Sequence, residues 1–79
     1  MSQSVIPLPM ISPGEVVSVV GVNAGRGLSR KLVEMGLTPG VEIRVVNNQM
    51  PGPVIIEFRG SKLALGHGAA QKVMVSKAA

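Results

Sequence analysis

Between Val41 and Phe58 the chain alternates twice. Val41, Ile43 and Val45 alternate with Glu42 and Arg44, and Val54, Ile56 and Phe58 with Ile55, Glu57 and Arg59, a period of two that predicts strands with one face in a core and the other in water. The stretch GEVVSVVGV, residues 14–22, predicts a further strand from its β-branched residues, although its valine runs leave the inward parity open. A different period governs residues 28–35. Leu28, Leu32 and Met35 stand at i, i+4 and i+7, one face of a short helix, while Ser29, Arg30, Lys31 and Glu34 point elsewhere. At about two turns such a helix does not hold alone in water, so it has to dock on the sheet.

The stretch MGLTPGVEI, residues 35–43, joins these two periodicities. Gly36 sits where a left-handed residue ends a helix. Thr38-Pro39-Gly40 then predicts a tight turn, with Pro39 fixing its own φ and Gly40 supplying freedom before the strand. Leu37 is expected to pack beneath the helix.

Residues 1–6 read as a flexible start, and Pro7, Pro9 and Pro13 favour extended, edge-like structure over helix or a central strand. NNQMPGP, residues 47–53, is a loop. Gly60-Ser61 suits a two-residue II′ hairpin leading into Lys62–Leu65, whose two leucines share a face. Gly66-His67-Gly68 breaks that strand, Ala69–Lys72 fits a single helical turn, Val73–Ser76 a closing strand, and 77–79 a tail. About five strands and one short helix in this order predict an all-β fold, a small, partly open barrel of SH3-like type.

Composition narrows the picture. Seventy-nine residues make one domain, and a chain of that size buries at most roughly 60% of its unfolded surface. With 46% hydrophobic residues and Phe58 the only aromatic, the core is built from Val, Ile, Leu, Met and Ala. There is no Cys, which excludes disulfides and thiolate metal sites. Eight Lys and Arg against four Glu give a net charge of +4, suited to an acidic protein surface, a phosphate-rich membrane face or nucleic acid. The bases are scattered; Arg26, Arg30 and Lys31 come nearest to a cluster. The start lacks a signal peptide's basic segment, and no apolar run approaches the roughly 20 residues of a membrane span. A cytoplasmic protein is expected.

Catalysis finds little to stand on. The single histidine, His67, lies between two glycines in an expected loop, away from any activated nucleophile. Glu42 and Glu57 fall on the polar sides of their strands and Glu34 on the helix. Gly25-Arg26-Gly27 before a helix invites a phosphate reading, but it has neither the Walker pattern nor a full G-x-G-x-x-G, and glycines that permit the helix entry turn explain it more simply. Neither an enzyme nor a bound cofactor is expected.

Gly14-Glu15 before a valine-rich strand, EMGLTPG at 34–40, Gly52-Pro53-Val54, and Phe58-Arg59-Gly60 with Leu63-Ala64-Leu65 together resemble the ferrous iron transport protein A family, FeoA, over about residues 7–76. The resemblance implies a cytoplasmic SH3-like accessory protein that acts with FeoB, the large GTP-hydrolysing ferrous iron permease, at the inner face of the membrane. It departs from the family at Gly66-His67-Gly68-Ala69-Ala70-Gln71, where relatives commonly carry a charged short helix.

The name raises the question of iron itself. A facial ferrous site uses two His and one carboxylate, and one chain with one His cannot build it; two copies would have to share their His67 side chains, and weak self-association leaves that route open. Met1, Met10, Met35, Met50 and Met74 lack the spacing of a shared soft site, and Met35 is expected in the core. No resident metal site is expected.

The surface candidates for a partner are Arg26, Arg30 and Lys31 on the helix and the Met50-Pro51 loop tip. Leu28, Leu32, Met35, Gly36, Leu37, Pro39, Gly40 and Gly60 carry structural roles. A nucleic-acid-binding SH3-like module is the alternative, favoured by the net charge and opposed by the lack of aromatic stacking platforms.

Overall fold

The computed structural model describes residues 4–49 and 51–77. Among them run strands β1 (Val5–Pro7), β2 (Val16–Val22), β3 (Glu42–Asn47), β4 (Val54–Phe58), β5 (Ser61–Leu65) and β6 (Val73–Lys77). Helix α1 (Arg26–Glu34) lies between β2 and β3, the one-turn helix α2 (His67–Ala70) between β5 and β6, and a 3₁₀ turn over Leu8–Met10 follows β1. The strands form one antiparallel sheet in the order β1-β6-β2-β3-β4-β5, a small SH3-like barrel that does not close.

The strand beyond the expected five is β1. Val5 and Ile6, assigned to a flexible start, pair with Ser76 and Val75 of β6, and Pro7 pairs with Met74. The prolines' preference for an edge holds, since β1 is an outermost strand. Its continuation turns inward: Leu8 and Ile11 are fully buried, while Met10 stays exposed. Asn48 of the β3–β4 loop locks this segment by donating from Nδ2 to the carbonyls of Pro9, at 3.1 Å, and Ile11. Met1, within the flexible start, and Ala78 and Ala79 of the tail lie outside the described residues.

The parity of β2 resolves to Val17 and Val19 inward, with a bulge between Val19 and Gly21 shifting its register on β6. Ile43 and Val45 of β3 and Val54 and Ile56 of β4 complete the alternation and, with Leu32, Leu37, Leu65, Val73 and Val75, fill the core. Phe58 is half-buried against it.

The joint behaves as its residues dictate. Leu37 N–H donates to Leu32 O at 3.0 Å and Gly36 N–H to Val33 O at 2.9 Å, the paired bonds of a Schellman cap, with Leu32 and Leu37 as the buried hydrophobic contact that accompanies it. Gly36 has φ +102°, and a Cβ there would stand 3.1 Å from the Phe58 ring, so both backbone and space ask for glycine. Val41 N–H closes the Thr38–Val41 turn on Thr38 O at 3.2 Å. Gly40 N–H to Val19 O and Val19 N–H to Val41 O, both 2.8 Å, then fasten the joint to β2.

Local expectations are corrected at four places. Helix α1 begins at Arg26, two residues early, because Gly25 in extended conformation serves as its N-cap. The β4–β5 turn is Arg59-Gly60, not Gly60-Ser61: Phe58 pairs with Ser61, and both turn residues have positive φ, 53° and 78°, the signature of type I′ in place of II′. His67 lies in α2 and not in a loop, since the helical turn starts two residues before Ala69. Met35 is half-buried beside the core and does not sit within it.

Candidate functional site

Helix α1 docks through a stripe of three apolar residues, and that stripe is consumed unevenly. Leu32 is buried to 1% exposure, but Leu28 and Met35 on either side of it are only half-buried. The uncovered parts face β5. Between them lies a groove of about 230 Å³ lined by Leu28, Lys31, Leu32 and Met35 of α1, Leu63, Ala64 and Leu65 of β5, and Gly66 and Ala69 beyond it. Apart from Lys31 its lining side chains are apolar, and no carboxylate lines it.

The three helical bases do not share one face. Successive helix residues are rotated by about 100°, so Arg26 and Arg30, four apart, project together toward solvent beside the exposed Val33, whereas Lys31 turns back to the groove. Arg26 stands in a first turn that holds no acid, against the positive end of the helix dipole, where a cation costs about 0.3–1 kcal/mol. Helix stability therefore does not explain its presence.

Two of the eight basic residues are paired. Arg44 Nη2 meets Glu57 Oε1 at 3.0 Å across β3 and β4, and Lys77 Nζ meets Glu15 Oε1 at 3.5 Å. Both pairs are solvent-exposed and worth at most about 1 kcal/mol each. Among the described residues, Arg26, Arg30, Lys31, Arg59, Lys62 and Lys72 form no ion pair. Lys62 is opposite Glu57 in the β4–β5 register, but that carboxylate is engaged by Arg44.

Pro51 is exposed in the β3–β4 loop and takes no part in the groove; Met50 lies outside the described residues. Pro39 and Gly40 form the turn after α1, and Gly60 the second position of the hairpin turn. No group of three or more His, Asp or Glu with metal-binding geometry occurs among the described residues. Sequence reasoning had the α1 bases but missed Leu63, Ala64 and Ala69 as their counterparts. Only the shared face of Leu63 and Leu65 hinted at that wall. Arg59 was also missed as a surface cation, having been assigned to the strand.

Together these features define a small SH3-like domain whose distinguishing surface is a helix-bordered apolar groove. The chain belongs to the FeoA family, whose domain model matches residues 6–77. It is 44% identical over 72 residues to "Putative Fe(2+) transport protein A" of Methanocaldococcus jannaschii, covering 91% of this chain and 87% of that one. It superposes with a TM-score of 0.84 and 41% identity on a crystal structure of the iron uptake regulatory protein FeoA, covering 95% and 99% of the two chains. A manganese-dependent transcriptional repressor shares the fold at TM-score 0.87 and 19% identity, over 44% of its length. FeoA proteins are small accessory transport proteins, not enzymes. No helix among the described residues is long and apolar enough to cross a membrane.

Proposed function

We propose that this chain is an accessory protein of ferrous iron uptake that binds the GTP-hydrolysing ferrous iron permease, FeoB, on its cytoplasmic side and modulates its activity or assembly. The identity of 44% with a protein named for Fe(2+) transport, over nearly the whole of both chains, carries the iron assignment. The interaction role is supported by what the surface of α1 offers: a groove bordered by Lys31 on one face and the unpaired Arg26 and Arg30 on the other. Phe58, the only aromatic, is held against Gly36 and offers no stacking platform to nucleic acid.

Modulation sets a thermodynamic condition. The module must bind one state of the permease more tightly than another, because equal affinity shifts nothing. A tenfold bias corresponds to about 1.4 kcal/mol of differential binding, within reach of a few contacts.

The test is a calorimetric titration of the chain into its host's full-length permease in lipid nanodiscs, loaded in turn with GDP and a non-hydrolysable GTP analogue. Binding with at least a tenfold difference between nucleotide states is expected. Equal affinities would reduce the role to assembly, and an absence of binding would remove the permease as partner.

A further inference from the structure

Helix α1 carries a second stripe, on the side turned away from the groove. Arg26, Arg30 and Val33 stand at i, i+4 and i+7, which on a helix confines them to an arc of about 60° and to about 10 Å of its length. That arc lies opposite the one formed by Leu28, Leu32 and Met35, through which the helix docks. Both arginines are exposed. Val33 is 46% exposed and takes no part in the core.

The helix by itself gains nothing from this stripe. Like charges four residues apart on a helix repel, and Arg26 adds a cation to a first turn that contains no acid, where the dipole already presents its positive end. Relief is within reach, since Glu34 follows Arg30 by four residues, yet the two form no ion pair. A β-branched apolar side chain in water stands in line with them. Three features that each disfavour a free helix surface therefore coincide on one face, and a partner that brings carboxylates to the guanidinium groups and covers Val33 relieves all three.

We infer that the outer face of α1 docks an acidic protein segment, its carboxylates meeting Arg26 and Arg30 and an apolar side chain beside them covering Val33. Charge complementarity sets the sign of the occupant, and the planar fork of arginine matches a carboxylate at two points. The valine in line with the arginines selects a protein over nucleic acid, whose phosphates offer it nothing. Two arginines also fall short of the roughly four to eight clustered bases by which a segment recognises an anionic membrane. The inference rests on the reading of this chain as a partner-binding module, and it names the face and the chemistry of the contact.

The experiment is selection of a random dodecapeptide library, displayed in many copies on phage, on the full chain, followed by NMR titration of the enriched peptides into isotope-labelled protein. Enriched peptides are expected to combine an excess of Asp and Glu with apolar residues and to shift the amide signals of Arg26, Arg30 and Val33. Arg30→Glu is expected to weaken them at least fivefold. Lys31→Glu makes the same change of charge one residue on, at the groove side of the helix, and is expected to weaken them less than twofold. Arg26→Glu is expected to weaken binding at least fivefold while raising the thermal midpoint, because an acid suits the first turn. No enrichment, enrichment without an acidic excess, signals shifted at Leu63 and Ala64 in place of the outer face, or equal losses in Arg30→Glu and Lys31→Glu would overturn the inference. A lowered midpoint in Arg26→Glu would overturn it as well, since the arginine would then serve the fold. Cosedimentation with phosphatidylserine-containing vesicles that Arg26→Glu abolishes would overturn it in favour of a membrane surface. The selection contains no permease, so its outcome is separable from that of the titration.

Discussion

The two edges of the sheet face the same hazard and meet it differently. At β1, Pro7 removes a backbone donor, Leu8 and Ile11 fold under the strand to complete burial, and Asn48 clamps the segment from the neighbouring loop. An edge treated in this way offers little to another chain. At β5, helix α1 lies alongside but leaves Leu28, Met35 and Leu63 half-covered, with a groove between helix and strand. One edge is sealed by the protein's own chain. The other keeps apolar surface within reach of solvent with Lys31 at its border, an arrangement that serves association better than it serves the stability of the isolated domain.

Leu8→Ala tests the sealed edge and has the largest expected effect. Leu8 is fully buried on a segment held by main-chain and Asn48 bonds that limit collapse around a cavity, so its loss is expected to cost about 2–5 kcal/mol. For a domain this small that is much of the total stability. Urea unfolding followed by circular dichroism measures it. A cost below about 1 kcal/mol would mean that the segment adds little to the core and that the two edges are alike.

Met35→Ala is the matching change at the open edge. Because Met35 is half-buried and borders the groove, the expected loss is only about 1 kcal/mol, in proportion to the smaller apolar area returned to water. The same unfolding measurement reads it. A cost as large as that of Leu8→Ala would show that the groove side is packed as tightly as the core, which would remove the contrast.

How much of this was written locally explains which parts the sequence disclosed. The joint at 35–40 was legible because its conformation is imposed by Gly36, Pro39 and Gly40, whose allowed φ values depend on no distant contact. The alternation of β3 and β4 and the α1 stripe were legible because burial follows the period of the backbone. The β1 edge was not, since Leu8 and Ile11 sit among prolines in neither period and are inward only through the 3₁₀ turn. The hairpin turn was displaced by one residue because Arg59 adopts a left-handed conformation that its type disfavours. The groove was invisible for a different reason. It is the space left between two elements, and residues 28–35 say nothing about how closely β5 approaches them.

Arg59 therefore supplies the subtlest way to sharpen the comparison, since it separates stability from recognition at one position. In Arg59→Asn the left-handed backbone is retained by a residue that adopts it more readily, while the cation is removed. Stability is expected to rise by about 0.5 kcal/mol, a fraction of the roughly 1–2 kcal/mol that the left-handed conformation costs an ordinary residue. The affinity for the permease is expected to fall. Both quantities come from the same purified variant, by urea unfolding and by calorimetric titration into the permease. A variant that is more stable and binds less well would mean that the turn holds its strained arginine for the partner's sake. A fall in stability would instead mean that the Arg59 side chain supports the hairpin, and the open edge would then owe its charge to folding after all.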